Sequence, residues 1–355
     1  MRYTKEEVQI VQHWNRRDLQ PLVTVCCITY NHRSYITDAL EGFLSQITNF
    51  SFEILVRDDC STDGTSEILI EYQKKYPNIL RLIRENENTY SKGVKPFPVL
   101  YKLAKGDFLA LCEGDDYWTD PNKLQYQYDS LLKHPQCELC IHPAQVIDIA
   151  NGKQYRLWDY GDREKIFSTD EIIECNGQFA PTSSYFFRKE VAERLPEWFY
   201  KIAPVGDFFI EVFGSVSGGC LYLPRTMSTY RLGHTGSWTS TENVRYSVKN
   251  LQYIVDMDAS LLYLDNELGH RYKKSISMRR AYLYLSRAEY ALFHGNKKMF
   301  EESVEKSERL AGDNLDVIKS ISIKRCCFKI WGIHIRGRHF LSRLKRRFRF
   351  FLEKI

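Results

Sequence analysis

A short apolar run turns abruptly acidic at residues 108–118, which read FLALCEGDDYW. The first five of these residues have the composition of a buried strand. Three carboxylates, at Glu113, Asp115 and Asp116, then follow within four residues. Like charges this close repel one another, and a divalent cation relieves the repulsion. Carboxylate oxygens favour Mg2+ or Mn2+, typically shared with substrate phosphates. A solvated acidic turn explains the cluster equally well when it is considered alone.

Strand-like and helix-like segments alternate in the first part of the chain. The predicted strands are residues 23–30, 52–56, 80–83 and 108–112, and the predicted helices are 35–46, 66–76 and one that ends near Gly106. This alternation favours an α/β fold with an open, mostly parallel sheet flanked by helices. Ligands of such sheets bind beyond the carboxyl ends of the strands. Residues 29–32, 58–65 and 113–118 should therefore converge at one edge.

Two side chains at these strand ends suit a nucleotide base. Tyr30 offers a flat face on which a base can stack, although a partly buried packing aromatic is the alternative. Asp58 can accept a hydrogen bond from a base N–H. Asp63 and Thr65 are better explained as turn and helix-cap residues.

Phosphate binding has no glycine-rich signature in this chain. Neither G-x-G-x-x-G nor G-x-x-x-x-G-K-[ST] follows a predicted strand, which argues against a dinucleotide dehydrogenase and a P-loop NTPase. A metal and scattered basic groups would have to hold the phosphates. Lys92 and Lys95, in the loop before the fourth predicted strand, are candidates, and plain solvated lysines are the alternative.

Three blocks of sequence resemble the family 2 glycosyltransferases in their content, order and spacing. The blocks are VTVCCITYN at 23–31, VRDDCSTDGT at 56–65, and AKGDF at 104–108 leading to EGDD at 113–116. The resemblance covers roughly residues 20–240. It implies a GT-A fold, which is Rossmann-like with a mostly parallel sheet flanked by helices. The later helices would form a C-terminal appendage.

The resemblance also implies a nucleotide-sugar site. Tyr30 and Asp58 would hold the base, commonly uracil, and the D-x-D motif of the family falls on Glu113 and Asp115. Its carboxylates contact the ribose and coordinate the Mn2+ or Mg2+ ion that bridges the diphosphate. The first motif position is Glu here rather than Asp, so either Asp115 or Asp116 can be the main metal ligand. The residues expected to bind the nucleotide sugar are Thr29, Tyr30, Asn31, Asp58, Lys95, Glu113, Gly114 and Asp115, and those expected to bind the metal are Asp115, Asp116 and His234.

A carboxylate later in the chain serves as general base in inverting members of the family. The candidate is Asp207, in the stretch VGDFF at residues 205–209, where it opens a predicted helix. A helix N-terminus would keep this carboxylate ionised, and a plain N-cap aspartate is the alternative. His234 would reach the metal or the diphosphate, unless it is a surface histidine.

The implied activity is inverting transfer of a sugar from a nucleotide sugar, expected to be a UDP-sugar. The acceptor would be a hydroxyl of a glycan or a lipid-linked molecule, in the biosynthesis of surface polysaccharides or glycoconjugates. Two other classes stay open. One is a nucleotidyl or phosphoryl transferase on a similar sheet, and the other is a non-catalytic module that binds sugar nucleotides.

Four regions are expected along the chain. They are an N-terminal extension over 1–20, the GT-A domain over 21–240, a helical region over 241–318 and a basic amphipathic tail over 319–355. The tail has 12 Lys or Arg residues against one acid. Its apolar residues recur at helical spacing among the basic ones, which is typical of a helix lying on an anionic membrane surface. A solvated or oligomer-contacting helix is the alternative, and nucleic acid is not expected as a partner because no recognised binding module accompanies the tail.

The cysteines and the hydropathy of the chain indicate the cellular compartment of the protein. The ten cysteines are interpreted as mostly free thiols of a reducing cytoplasm, because strand neighbours such as Cys26 and Cys27 point to opposite faces. A zinc cluster is the alternative for His134, Cys137, Cys140 and His142, although their spacing fits no standard zinc pattern. The charged N-terminus is not expected to be a secretory signal, and no apolar stretch reaches the ~18 residues of a membrane span. The expected location is the cytoplasm, with peripheral attachment to the inner face of the cell membrane.

Overall fold

The computed structural model describes residues 5–15, 20–175, 177–233 and 246–334, with side chains described up to residue 325. The chain divides into two units. The first is Met1–Val244 with Ala259–Tyr272, and the second is Arg245–Asp258 with Lys273–Ile355.

The strands all belong to the first unit. They are β1 (Val23–Thr29), β2 (Phe52–Asp58), β3 (Leu80–Arg84), β4 (Phe108–Glu113), β5 (Tyr117–Trp118), β6 (Leu139–Ile141), β7 (Ala144–Asp148), β8 (Gln154–Leu157), β9 (Lys165–Phe167), β10 (Phe186–Arg188), β11 (Cys220–Tyr222) and β12 (Ser228–Leu232). Helix α1 (Glu7–Val11) precedes the strands. The α-helices between the strands are α2 (Ile36–Leu44), α3 (Thr65–Lys75), α4 (Pro96–Leu103), α5 (Lys123–Lys133), α6 (Thr169–Glu174), α7 (Lys189–Glu193), α8 (Glu197–Lys201) and α9 (Asp207–Ser215).

Two sheets organise these strands. The larger has eight strands in the order β3-β2-β1-β4-β10-β6-β11-β9, and the smaller has the order β5-β12-β7-β8. Strand β1 pairs in parallel with both β2 and β4, and β2 pairs in parallel with β3. Strands β10 and β9 run antiparallel to their neighbours. The large sheet is therefore mixed and mostly parallel, which confirms the predicted α/β fold class.

Strands β2 and β4 extend through the acidic residues at their ends. Asp58 pairs in register with Thr29 of β1, and Glu113 pairs with Ile28 of the same strand. Both acids are thus the last residues of their strands, whereas the sequence placed them in the loops that follow. Tyr30 lies one residue beyond β1 and not within it, as the predicted strand 23–30 had implied.

Helix α4 ends at Leu103, shortly before the predicted end near Gly106. Beyond it, Lys105 N donates to Glu53 Oε1 at 2.8 Å and Gly106 N donates to Thr24 Oγ1 at 2.9 Å. A Cβ on Gly106 would lie 2.5 Å from Thr24 N. Only glycine allows the chain to pass this close to β1, and this passage ends the helix.

Most of the cysteines whose side chains are described are buried core residues, and none of these described cysteines forms a disulfide. Cys26 and Cys27 are fully buried in β1, and the cysteines described between residues 26 and 220 are free thiols. Cys137 and Cys140 are likewise buried in the core. Among the residues that the structure describes, no three His, Cys, Asp or Glu side chains are arranged to hold a metal ion. The alternative of a zinc cluster therefore finds no support in this part of the chain.

The later part of the chain is helical. It contains α10 (Val248–Glu267), which belongs in part to each unit, and α11 (Lys273–His294), α12 (Lys297–Ala311) and α13 (Leu315–His334). Asn296 caps α12, because its Oδ1 accepts from Met299 N at 3.0 Å. A small apolar core joins α11, α12 and α13. None of the helices within the described ranges is long and apolar enough to cross a membrane.

Candidate active site

The acidic turn between β4 and β5 is built against the end of β1. Gly114 N donates to Ile28 O at 2.8 Å, and Asp116 N donates to Glu113 O at 3.1 Å. A Cβ on Gly114 would lie 2.8 Å from Thr29 Oγ1, closer than side chains pack. Glycine is therefore required for the turn to lie against Thr29. The structure gives both Gly114 and Thr29 a part in shaping the turn.

Arg231 of β12 holds the acidic turn from the other side. Its backbone N donates to Asp116 Oδ1 at 2.9 Å, and its Nη1 donates to Asp115 O at 2.7 Å. Its Nη2 pairs with Asp38 of α2. The guanidinium also lies 4.4 Å from the centroid of the Tyr117 ring, a favourable cation–π distance. Arg231 is a site residue whose role no local pattern of the sequence predicted, because its partner Asp116 lies 115 positions away along the chain.

Clustered negative charge dominates the electrostatics of the turn. The pKa of Glu113 is raised to about 8, first by burial and then by the charges of Asp115 and Asp207. Burial and the charges of Asp115 and Glu113 raise the pKa of Asp116 well above its usual range, against the opposing effect of Arg231. Asp207 lies far along the chain and yet acts on Glu113. Asp207 is therefore near enough to the acidic turn for its charge to act on Glu113.

Asp207 begins helix α9, where the sequence placed the start of a helix. Its side chain is half-buried, and Phe208 N donates to its Oδ1 at 2.8 Å. The preceding residue, Gly206, faces the ring of Phe199. Lys95 Nζ lies 5.9 Å from the centroid of the same ring, and burial lowers the pKa of this lysine. Lys95 and the start of α9 therefore share Phe199 as a neighbour.

Asn31 joins the loop after β1 to the loop after β2. Its N donates to Ser61 Oγ at 2.9 Å, and its Oδ1 accepts from Thr62 N at 2.8 Å. Its φ of 56° lies in the left-handed region, which asparagine tolerates better than most residues. Next to it, Tyr30 is 42% exposed. Asn31 therefore fixes the loop that presents the accessible ring of Tyr30.

Asp58 is buried, and the chain itself already uses most of its carboxylate. Its Oδ1 accepts from the N and the Oγ of Ser61, and its Oδ2 accepts from Ser66 Oγ. A carboxylate offers about four acceptor positions, so these bonds leave little capacity for a base N–H. Asp58 orders the loop after β2, while Asp63 accepts from Thr65 N at 3.0 Å at the start of α3.

Two histidines are candidates for contact with the acidic turn or its ligands. His32 Nε2, in the loop after β1, lies 3.9 Å from Asp115 Oδ2. This residue lies in the segment 29–32 that was expected at the edge of the sheet, but no role was predicted for it. His234, which was predicted to reach the metal or the diphosphate, lies outside the described residues.

The donor chemistry of the turn fits a divalent cation. Asp115 and Asp116 offer hard oxygen atoms, and Asp116 Oδ2 is buried with no hydrogen-bond partner among the described residues. Burial and then the repulsion by Asp115 and Asp207 raise the pKa of Glu113, and a cation would relieve the repulsion. Magnesium commonly takes one or two protein carboxylates and completes its shell with water and phosphate oxygens. The side chains described do not form a three-ligand site by themselves, so a substrate would have to complete the coordination.

Comparison with known proteins agrees with this geometry. Residues 24–195 match the family described as Glycosyl transferase family 2. An uncharacterized protein of Mycobacterium tuberculosis is 34% identical over 259 residues, which cover 72% of this chain and 71% of the relative. Poly(ribitol-phosphate) beta-N-acetylglucosaminyltransferase TarS of Staphylococcus aureus is 41% identical over 91 residues, 25% of this chain and 15% of TarS.

A solved structure shares the fold. The crystal structure of S. aureus TarS 1–349 in complex with UDP-GlcNAc aligns with a TM-score of 0.62 at 18% sequence identity. The alignment covers 87% of this chain and 91% of that one. The alignment extends over most of both chains, and it shows that the two backbones have the same fold.

Proposed function

Because the chain belongs to glycosyltransferase family 2 and has the GT-A fold, we propose that it transfers a sugar from a UDP-sugar to an acceptor hydroxyl with inversion at the anomeric carbon. The acceptor is a glycan or a lipid-linked molecule of surface polysaccharide or glycoconjugate biosynthesis. One observation carries the proposal: Asp207 lies close enough to the acidic turn for its charge to raise the pKa of Glu113. A base and a site for the leaving diphosphate are thus neighbours.

Asp207 acts as the general base in this proposal. It takes the proton of the acceptor hydroxyl while that oxygen attacks the anomeric carbon. The bond between the anomeric carbon and the diphosphate breaks on the opposite face, and UDP leaves. A single displacement inverts the configuration. The position of Asp207 at the start of α9 supports the role, because a helix N-terminus favours the ionised carboxylate.

Asp115 is the better of the two candidates for a metal ligand. Its side chain is 18% exposed, whereas Asp116 is 1% exposed and accepts from Arg231 N. We assign Asp115 as the main metal ligand. Asp116 accepts from Arg231 N through Oδ1, which leaves Oδ2 as a second proposed ligand atom, and His234 is a further proposed contact. A bound Mn2+ or Mg2+ would neutralise the negative charge that develops on the departing diphosphate.

The nucleotide lies along the ends of β1, β2 and β4 in this proposal. Tyr30 stacks on the base, and Asn31 and Asp58 hold the two loops that frame it. Glu113 contacts the ribose, and Lys95 contacts a phosphate. The TarS structure that shares the fold contains UDP-GlcNAc, which supports a UDP-sugar as the donor.

The proposal predicts metal-dependent binding of UDP. At a UDP concentration of about 100 times Kd, the folded unit should gain about 2.7 kcal/mol of stability, which raises the unfolding temperature by about 5 °C. A thermal-shift screen of UDP, GDP and CDP, each with and without Mn2+, measures this effect. UDP should give the largest shift, and chelation of the metal should remove most of it.

Product analysis separates the proposal from its competitors. With Mn2+ present, UDP-sugars should release UDP and a free or transferred sugar. Release of pyrophosphate would instead indicate a nucleotidyl transferase. Saturable UDP binding without turnover of UDP-glucose, UDP-galactose, UDP-GlcNAc or UDP-GalNAc would indicate a binding module.

The basic tail is proposed to hold the protein on the cytoplasmic face of the cell membrane. Residues 319–355 carry 12 Lys or Arg against one acid, interspersed with apolar side chains. Each basic residue near anionic lipid contributes about 1 kcal/mol. A lipid-linked acceptor at the same surface would then be within reach of the transferase.

Removal of residues 335–355 should weaken binding to anionic vesicles by more than about tenfold. This cut takes away eight of the basic residues and leaves α13 and its packing intact. Co-sedimentation with vesicles containing phosphatidylglycerol measures the change, and vesicles of phosphatidylcholine alone are the control. Equal sedimentation of the full-length and shortened proteins would contradict the membrane proposal.

A further inference from the structure

Helix α9, which carries Asp207, is held by a buried carboxylate on its next turn. Glu211 lies in the same helix and is 1% exposed. Its Oε1 accepts from Tyr185 OH at 2.6 Å and from Ala180 N at 3.0 Å. A buried carboxylate is tolerated only when hydrogen bonds compensate its lost hydration. These two donors therefore fix Glu211, and with it the helix that starts at Asp207.

Tyr185 connects this helix to the strand that bears the acidic turn. Its side chain is fully buried, and its backbone O accepts from Leu111 N at 3.1 Å. Leu111 belongs to β4, two residues before Glu113. The hydroxyl of Tyr185 thus binds the base-bearing helix, and its backbone binds the acidic strand. The charge of Asp207 is among the causes that raise the pKa of Tyr185, after burial and Glu211.

The segment from Ala180 to Tyr185 is also tied to the strands that flank the turn. Trp118 Nε1, in β5, donates to Ser183 O at 3.0 Å. Ser183 Oγ lies 2.9 Å from Ser228 Oγ, at the start of β12. The same segment therefore contacts β4, β5, β12 and α9. It is the shared support of the acidic turn and of the helix that carries the candidate base.

The geometry points to Tyr185 and Glu211 as positioning residues that set the place of Asp207 relative to the acidic turn. The inference rests on the proposed role of Asp207 as general base. Transfer requires the base to meet the acceptor oxygen while the diphosphate is held at the turn. A misplacement of about 1 Å can lower the rate by roughly 100-fold. A rigid link between α9 and β4 prevents such a displacement.

Tyr185→Phe tests the link, because it removes only the hydroxyl that binds Glu211. The rate of UDP release is measured with whichever of UDP-glucose, UDP-galactose, UDP-GlcNAc and UDP-GalNAc turns over fastest with Mn2+. We expect kcat to fall by about 10-fold to 100-fold, while Kd and stoichiometry for UDP, measured by calorimetry, stay unchanged. A loss of kcat matched by an equal loss of UDP stoichiometry would overturn the inference, because it would report unfolding alone.

Tyr222→Phe is the matched control. Tyr222 is also fully buried and its hydroxyl is also hydrogen-bonded, but its partners are Tyr160 N, Asp159 Oδ1 and Gly161 O, and none of these belongs to α9. We expect kcat of this variant to stay within about twofold of the wild-type value. The substitution removes a hydroxyl whose hydrogen bonds are remote from the reaction. An equal loss of kcat in both variants would overturn the inference.

A pair of substitutions at Glu211 gives a second test that does not depend on Tyr185. Glu211→Gln keeps an oxygen that accepts from Tyr185 OH and Ala180 N, whereas Glu211→Leu keeps none. We expect the glutamine variant to retain kcat within about threefold and the leucine variant to lose as much as Tyr185→Phe. Equal loss in both would overturn the inference. If Asp207→Asn keeps full turnover, the proposed role of Asp207 as base fails and the inference fails with it; if only the positioning variants keep full turnover, the inference alone fails.

Discussion

Asp207→Asn should abolish sugar transfer while UDP binding is retained. Asparagine has the shape of aspartate but cannot take the proton of the acceptor, and a general base contributes between about 100-fold and 10,000-fold to a rate. The negative charge of Asp207 raises the pKa of Glu113, so its removal lowers the repulsion at the acidic turn. Affinity for UDP with Mn2+ should therefore stay equal or increase. Rates of UDP release and calorimetric titration with UDP measure the two effects.

Asp170→Asn is the matched control for this variant. Asp170 also lies in the first turn of a helix, α6, but it is exposed and belongs to no part of the proposed site. It should leave the rate of UDP release unchanged. Normal transfer by the Asp207 variant would show that another group is the base. Loss of UDP binding in the same variant would show instead that Asp207 serves the nucleotide site.

Local sequence patterns predict the parallel core of the fold well. Strands β1, β2 and β4 are buried and consist mainly of apolar and β-branched residues, as expected of buried parallel strands. Their predicted positions differ from the structure by one or two residues at the ends. The three-residue strands β6, β9, β10 and β11 were not predicted, because a strand so short has no periodicity to detect. The antiparallel part of the sheet is made of these pieces.

At the candidate site, the sequence identifies residue types but not their partners. Asp58 was expected to face a base, and its carboxylate is bound largely by Ser61 and Ser66. Those hydrogen bonds depend on the conformation of the loop, which composition does not specify. Arg231 meets Asp116 from 115 positions along the chain, and no local pattern reports such a contact. The sequence therefore identified the charged groups at the centre of the site. The structure adds the residues that hold these groups in place.

The same limit applies to Lys123, a charged residue that nothing local marks as buried. It is the first residue of α5 and has no exposed surface. Its Nζ donates to Gln127 Oε1 at 2.6 Å and lies 4.1 Å from the centroid of the Trp118 ring, just beyond the acidic turn. Burial lowers the pKa of Lys123 from 10.5 to about 7. The folded protein therefore resists protonation of this amine, and the unfolded chain does not.

The sign of the resulting pH dependence follows from proton binding. Between pH 7 and pH 10.5 the unfolded chain binds more protons at Lys123 than the folded protein does, so this residue makes the free energy of unfolding rise with pH. Below pH 7 both states are protonated and the destabilisation is complete. A pKa difference of this size is equivalent to about 5 kcal/mol, of which about 4 kcal/mol acts at pH 7, where the folded amine is half protonated. The hydrogen bond to Gln127 and the contact with Trp118 offset about 2 kcal/mol of it.

Lys123→Met should therefore raise the free energy of unfolding by about 2 kcal/mol at pH 7, because it removes a buried amine and keeps a side chain of similar length. The advantage over the wild type should shrink by about 3 kcal/mol between pH 7 and pH 10, and so change sign. In this range Lys123 loses its proton in the folded wild type while the unfolded chain still binds one there, so rising pH disfavours the unfolded chain. Urea unfolding of both proteins across this range measures the difference between their free energies of unfolding. The titrating groups that the two proteins share affect both values equally and drop out of this difference. Lys133→Met, at the exposed end of the same helix, should show no such dependence. A difference between Lys123→Met and the wild type that is independent of pH would mean that the folded protein holds Lys123 charged throughout.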